Sequence, residues 1–227
     1  MLITENILEV RQRIAAAAAR RGRNPAEVKL IAVTKTVDIP QMEQALALVD
    51  GFGENRVQEL QRKYPFFPDG PDWHLIGHLQ TNKVKQVVGK VSLIHSLDRI
   101  NLAREISSVA QTLQVAAPVL VQVNISGEES KYGLAPGEVR DFLTTLADFP
   151  GIRVQGLMTM APLAADPEEA RPVFRGLAEL AGDLARENIP GVSMKFLSMG
   201  MSNDFEIAVE EGANIVRVGS AIFGSRS

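Results

Sequence analysis

The feature that most constrains this chain is an alternation. Eight short apolar, β-branched runs are separated by polar stretches with helical periodicity. The runs are Lys29–Lys35 (KLIAVTK), Gly51–Glu54, Trp73–Gln80 (WHLIGHLQ), Leu93–Leu97, Pro118–Ile125 (PVLVQVNI), Ile152–Met160 (IRVQGLMTM), Met194–Met201 and Asn214–Ser220 (NIVRVGS). Most are continuously apolar, which marks strands buried on both faces and hence a parallel sheet covered by helices. The intervening segments carry helix starts. Asp38 precedes IPQMEQALALV, Asp98 precedes RINLAREISSVAQTL, Pro136 precedes GEVRDFLTTLA, and Asp166 precedes PEEARPVFRGLAELAGDLARE. A short acidic cap accepts from orphan N–H groups, and an early proline has no N–H to leave unsatisfied.

Ahead of the first strand, Ile3, Ile7, Val10, Ile14 and Ala18 fall on one helical face. Gly22 and Asn24-Pro25 end that helix. Residues 29 to 220 then divide into eight strand–helix units of about 24 residues each. This predicts one (β/α)8 barrel of the TIM type, preceded by an extra helix and filling residues 1–227 as a single domain; an open doubly wound sheet is the alternative.

Composition narrows the functional classes. The 227 residues contain no cysteine, so disulfides, thiolate catalysis and cysteine-bound zinc are excluded. A net charge of −3 without a dominant Lys/Arg block argues against nucleic acid as a partner. MLITENILEV lacks the basic and continuous apolar regions of a signal peptide, and no run reaches the roughly 20 apolar residues of a membrane span. The expectation is a soluble, cytoplasmic protein. The basic stretches Arg20-Arg21-Gly22-Arg23 and Asn82-Lys83-Val84-Lys85 read as solvated helix faces. The three histidines, His74, His78 and His95, lack metal-site spacing and are expected to pack as core or supporting residues, with no metal bound.

Barrel chemistry sits at the C-terminal strand ends. There the chain places Thr34-Lys35-Thr36, Glu54-Asn55, Gln80, Met158-Thr159-Met160, Ser198-Met199-Gly200-Met201-Ser202 and Arg217-Val218-Gly219-Ser220. Small and hydroxyl residues after strands 7 and 8 are where barrels build phosphate cradles, with Gly219 permitting close backbone approach and Ser198, Ser202 and Ser220 supplying hydroxyls. Lys35 follows LIAV directly, so it stands at the barrel mouth. Held away from water near cations, it would be a nucleophilic amine toward an aldehyde. Held in water, it is a plain cation, as in a sugar-phosphate-binding barrel enzyme. The methionines Met158, Met160, Met194, Met199 and Met201 serve barrel packing, with lining a flat heteroaromatic ring a second use.

LIAVTKT (30–36), FGENRVQE (52–59), WHLIGHLQTNK (73–83), IHSLD (94–98), VNISGEESKYG (124–133), GLMTMAP (156–162) and LSMGMSNDFEIAVEEGANIVRVGSAIFG (197–224) run nearly end to end. In order and spacing they resemble the pyridoxal 5′-phosphate (PLP) homeostasis proteins, the proline synthetase co-transcribed family, whose fold is the alanine racemase N-terminal barrel. The resemblance implies PLP held as an aldimine on Lys35, Arg217 facing the pyridine nitrogen, and Ser198, Ser202, Gly219 and Ser220 at the phosphate. It also implies Asn55 and Met199 beside the cofactor. Lys131, in Ser130-Lys131-Tyr132-Gly133, matches a second lysine of the family. The sequence departs from the family pattern at Thr34, where serine is frequent, and at Arg56, where tyrosine is common.

An arginine partner leaves the pyridine nitrogen unprotonated and the ring a weaker electron sink. In the alanine racemases a tyrosine from a separate C-terminal β domain of the partner subunit supplies the second base. The sequence ends at Ser227, a few residues past its last strand, and the expectation is therefore a monomeric, non-catalytic PLP carrier. It would take part in vitamin B6 and amino-acid/keto-acid homeostasis, with PLP-dependent apo-enzymes as possible partners. A PLP-dependent amino-acid racemase or other PLP enzyme is the alternative.

Overall fold

The computed structural model describes residues 2–68, 70–128 and 131–224. Ser130, in the second-lysine motif, lies outside them. The strands are β1 (Lys29–Val33), β2 (Gly51–Glu54), β3 (Asp72–Leu75), β4 (Leu93–Leu97), β5 (Ala117–Gln122), β6 (Ile152–Met158), β7 (Val192–Ser198) and β8 (Ile215–Val218). Each pairs in parallel with its sequence neighbour, and β8 returns to β1, closing the barrel. The open-sheet alternative is excluded, and the extra N-terminal helix is present as α1 (Ile3–Arg20).

The other helices are α2 (Ile39–Ala45), α3 (Val57–Lys63), α4 (Ile100–Leu113), α5 (Val139–Leu146), α6 (Arg171–Ala185), α7 (Phe205–Glu210) and α8 (Ser220–Phe223). Asp38 caps α2 as expected, accepting from the Gln41 N–H at 2.9 Å. Asp166 accepts from the Glu168 N–H at 2.9 Å, but it caps a short 3-10 turn (Pro167–Ala170) that leads into α6. Pro136 likewise opens a 3-10 turn ahead of α5. Asp98 does not cap α4. Arg99 occupies that position, and Asp98 pairs with its guanidinium at 2.6 Å.

Strand period sorts the residues between two cores. Ile31, Leu93, Leu120, Met158 and Ile215 fill the barrel interior, while the larger core lies between strands and helices. Gly156 marks a tight point, because a Cβ there would sit 1.9 Å from the Phe196 carbonyl oxygen where β6 meets β7.

Arg20, Arg21 and Arg23 are not simply solvated. Arg20 pairs with Glu210 at 2.5 Å and Arg21 with Glu211 at 3.3 Å. Arg23 donates to the Val209 and Ala213 carbonyls. The basic stretch therefore fastens the end of α1 onto α7. Among the described residues no helix is long and apolar enough to cross a membrane.

Candidate functional site

The observed strands stop earlier than the apolar runs do. Thr34-Lys35-Thr36, Ile76–Gln80, Thr159-Met160 and Met199–Met201 lie beyond the last ladder residue and form the barrel mouth. Side-chain alternation puts Lys35 on the face of Ile31 and Val33, and Arg217 on the face of Ile215. Lys35 and Arg217 line one cleft of about 720 Å³, with Val33, Ser202, Gly219 and Ser220 among its other walls. The loop after β6 (Pro162, Leu163, Ala164, Asp166) closes one side, and Asn203, Asp204 and Phe223 lie at another.

Lys35 is partly buried and is braced from behind by an ionic cluster. The Lys63 ammonium, 1% exposed, contacts Glu54 Oε1 at 2.7 Å, Glu59 Oε2 at 2.9 Å and the Thr34 carbonyl at 2.6 Å. Thr34 Oγ1 donates to the same Glu54 oxygen at 2.7 Å, and the Thr36 N–H donates to Glu59 at 2.8 Å. The backbone on both sides of Lys35 is thus tied to one buried charge group. Burial pushes the Glu54 carboxyl above its ordinary range, against the opposing pull of Lys63 and Thr34. Partial burial acts in the same direction on Glu59, but bonds from Thr36 and Lys63 outweigh it and hold that carboxyl low. Thr36 has φ +63°, an uncommon conformation for a β-branched residue and a local strain beside the candidate nucleophile.

Arg217 is fully buried. Its Nη1 donates to Ser198 Oγ at 2.5 Å and its Nη2 to the Thr159 carbonyl at 2.9 Å. Burial lowers its pKa to about 10, so it remains a cation at neutral pH. Ser198 Oγ also meets His95 Nδ1 at 2.9 Å, and His95 Nε2 meets His74 Nδ1 at 2.8 Å. Both imidazoles are buried and held neutral by desolvation, His74 at about 4 and His95 well below its ordinary value. The expectation that the histidines pack as core or supporting residues describes these two. His78 instead stands at the mouth, stacked on the exposed Tyr132 ring at 4.3 Å.

On the far wall the Gly219 and Ala221 N–H groups both point at Ser202 Oγ, each at 3.2 Å. Two backbone donors meet there at the Ser202 hydroxyl, and Ser220 lines the same cleft; N–H and hydroxyl groups are the donors an oxyanion takes. Gly219 has an ordinary negative φ; an added Cβ would lie 3.3 Å from the Val33 Cβ, a tight contact that Val33 would have to yield to. Asp204 accepts from the Met201 N–H at 2.6 Å and is pushed up by burial, with Arg217 acting the other way.

Of the residues singled out in the sequence, Lys35, Ser202, Arg217, Gly219 and Ser220 come together around the cleft. The side chains of Ser198, Met199 and Asn55 do not line it. Ser198 is turned into the barrel, and Met199 is buried in the outer core. Asn55 Oδ1 is buried without a partner among the described residues. Lys131 pairs with Glu128 at 3.2 Å, away from the cleft walls. The Lys63 cluster was not singled out in the sequence, although Glu59 and Lys63 stand at the i, i+4 spacing that pairs charges on a helix.

The family model described as alanine racemase, N-terminal domain, matches residues 5–227. A pyridoxal phosphate homeostasis protein of Aquifex aeolicus is 45% identical over 224 residues, covering 98% of this chain and 97% of that protein. The Escherichia coli K12 protein of the same name is 36% identical, covering 99% of this chain and 97% of its own length. The structure of PipY from Synechococcus elongatus PCC7942 with PLP bound superposes with a TM-score of 0.81 at 35% identity, over 93% of this chain and all of that one. With the closed barrel and its clustered strand ends, these matches settle the kinship: the chain belongs to the alanine racemase N-terminal domain family and, within it, to the pyridoxal phosphate homeostasis proteins.

Proposed function

We propose that this protein binds PLP in the cleft between Lys35 and Ser202, holding it as a Schiff base on Lys35 for PLP homeostasis with little or no turnover. One observation carries the reading: an amine (Lys35), a buried cation (Arg217) and the hydroxyl residues Ser202 and Ser220 line the same cleft, with the Gly219 and Ala221 N–H groups meeting at Ser202 Oγ. Those are the three groups an aldehyde, a pyridine ring and a phosphate require. The Ser202 hydroxyl, the Gly219 and Ala221 N–H groups and Ser220 would take the phosphate, and Arg217 would face the ring nitrogen. Bound there, PLP supplies an electrophilic aldehyde and a conjugated electron sink. A cationic Arg217 would only donate to the ring nitrogen and disfavour its protonation, which keeps that sink weak.

The cleft walls support a carrier over a racemase. Reversible proton transfer on both faces of a substrate carbon needs a second base beside the lysine. Neither tyrosine reaches the cleft: Tyr64 packs against Trp73, and Tyr132 stacks on His78. The lining carboxylates are engaged, Asp204 by the Met201 N–H and Asp166 by the Glu168 N–H. The names of the relatives and the PLP in PipY favour the same ligand. We extend the proposal to a monomer that passes PLP to apo-enzymes.

Borohydride reduction of the purified protein, followed by peptide mapping, tests the assignment together with the visible absorbance of the PLP–lysine Schiff base. Wild type should show the band and a reduced adduct on Lys35, and Lys35→Ala should show neither. A colourless wild type after incubation with PLP, or an adduct retained in Lys35→Ala, overturns it. Incubating the loaded protein with L- or D-amino acids should produce no racemisation at enzyme-like rates; robust racemisation overturns the carrier reading.

A further inference from the structure

Behind the cleft, a chain of polar side chains crosses the barrel interior from β8 to β3. Every link is buried: Arg217 is 3% exposed, Ser198 0%, His95 0% and His74 2%. Such a chain in an apolar interior is costly unless each donor finds an acceptor. The imidazole tautomers set its direction, and one direction gives every donor from Arg217 to His95 an acceptor. Arg217 has only donors, so Ser198 Oγ accepts at 2.5 Å and its single hydrogen is left for His95 Nδ1 at 2.9 Å. His95 then carries its proton on Nε2 and donates to His74 Nδ1 at 2.8 Å. His74 is left with its proton on Nε2, which has no partner among the described residues.

We infer that Ser198, His95 and His74 form a positioning chain that fixes Arg217 for the ring of the bound cofactor. The inference rests on the reading that PLP occupies the cleft. The geometry gives each member a task. The Thr159 carbonyl fixes one guanidinium nitrogen and Ser198 the other, so the fork is held at two points and its remaining N–H groups are aimed. Ser198 holds Arg217 well only as an acceptor, and its hydroxyl hydrogen then needs a destination. His95 provides one only as the Nε2–H tautomer, and that tautomer is selected by the acceptor at His74 Nδ1. A two-histidine support thereby sets the direction of a bond two links away at the cleft. In this arrangement Ser198 acts on the cofactor through Arg217, consistent with its hydroxyl lying off the cleft walls.

The experiment compares PLP-loaded wild type, His95→Phe, His74→Asn and Ser198→Ala. His95→Phe removes the acceptor for Ser198. His74→Asn keeps an acceptor oxygen in place of Nδ1 and is the conservative rescue. Three readouts are taken: PLP dissociation constant, absorbance of the bound chromophore against pH, and thermal midpoint. Histidine 15N NMR of wild type should report both imidazoles as neutral Nε2–H tautomers. His95→Phe and Ser198→Ala should each weaken PLP binding about tenfold, the scale of one hydrogen bond to a charged group, and alter the chromophore's pH profile. His74→Asn should stay within about threefold of wild type, about 0.6 kcal/mol.

The outcomes separate the two claims. A wild type that takes up no PLP defeats the functional reading itself. A wild type that binds PLP, with His95→Phe and Ser198→Ala both unchanged in affinity and pH profile, overturns the positioning chain. So does an Nδ1–H tautomer at His95. If His95→Phe does not fold, the smaller Ser198→Ala and the tautomer measurement decide. Loss of thermal stability with an unchanged affinity and chromophore assigns the chain to the core alone and also overturns the proposal.

Discussion

Acidification from pH 7 to pH 5 should destabilise this protein more steeply than its carboxylates would require, and the two interior histidines set the size of the effect. His74 has an ordinary value of 6.5 and about 4 in the fold, and His95 is held lower than its ordinary value as well. Both folded values lie below the unfolded ones, so the unfolded chain binds the extra protons. The stability each neutral imidazole contributes is present above about pH 6.5 and lost as pH falls below it. At pH 5, protonation favours an unfolded histidine by about 2 kcal/mol and a histidine at about 4 by only about 0.1 kcal/mol. His74 alone therefore removes about 2 kcal/mol over this window, and His95 acts in the same direction, against the roughly 5–15 kcal/mol of a typical domain. Glu59, Glu210 and Glu211 are held low in the fold, and their loss falls below the window. Glu54 and Asp204 are raised in the fold and offset part of the effect.

The assay is urea unfolding of the unliganded chain at pH 7 and pH 5, with the slope against denaturant checked for constancy. Wild type should lose about 2 kcal/mol or more between the two, and His74→Asn, with one titrating imidazole fewer, should lose about 2 kcal/mol less. Equal midpoints for wild type at both pH values, or identical losses in wild type and His74→Asn, would refute the assignment of these imidazoles as neutral in the fold.

Two further predictions concern the backbone around Lys35. Lys63→Met leaves Glu54 buried and uncompensated, which should cost about 3–5 kcal/mol and lower the thermal midpoint by roughly 6–20 °C in calorimetry; Glu54→Gln added to it should recover a substantial part, and a single variant as stable as wild type would remove the ionic cluster from the account. Thr36→Gly relieves the positive φ and should stay within about 1 kcal/mol of wild type in urea unfolding, whereas Thr36→Pro forces φ near −65° and deletes the N–H donated to Glu59, costing more than about 2 kcal/mol.

Much of this was legible in the sequence because the fold is written in a coarse period. Continuous runs such as LIAV and PVLVQV belong to strands with no solvent face, and eight of them alternating with helical stretches close into a barrel. What the runs conceal is where the ladder ends. WHLIGHLQ reads as one strand, yet only its first three residues lie in β3 (Asp72–Leu75): the Ile76 N–H adds one last bond to the Glu54 carbonyl at 2.9 Å, and of the residues that follow only Leu79 is buried as an apolar side chain, there for packing and not for pairing. The site was legible to the same depth. Lys35, Arg217, Ser202, Gly219 and Ser220 announce themselves by position at strand ends, but Ser198 sits at such an end and faces inward, since a side-chain direction depends on register and not on residue type. The Lys63 cluster was hidden for a different reason: its partners come from β2, α3 and the β1 terminus, and only the closed barrel brings them together.

The two polar systems that the sequence did not assemble share a design. Each lies behind one charged residue of the cleft and outside the cleft itself. Lys63 with its two glutamates grips the backbone on either side of Lys35, and the histidine pair, through Ser198, grips the guanidinium of Arg217. Buried polar groups of this kind seldom add net stability over a well-packed apolar core, so their presence at these two positions argues for geometry as their role. A site that only had to attract an anionic aldehyde would need neither, because a flexible lysine and arginine at the mouth supply the charge. Holding the amine and the guanidinium still, at opposite ends of one ring, is what a protein requires if it must keep the ligand in a single pose. The prediction about His95 and the prediction about Lys63 are therefore tests of one idea from two sides. Loosening either brace should let PLP escape faster while the barrel around it stays closed.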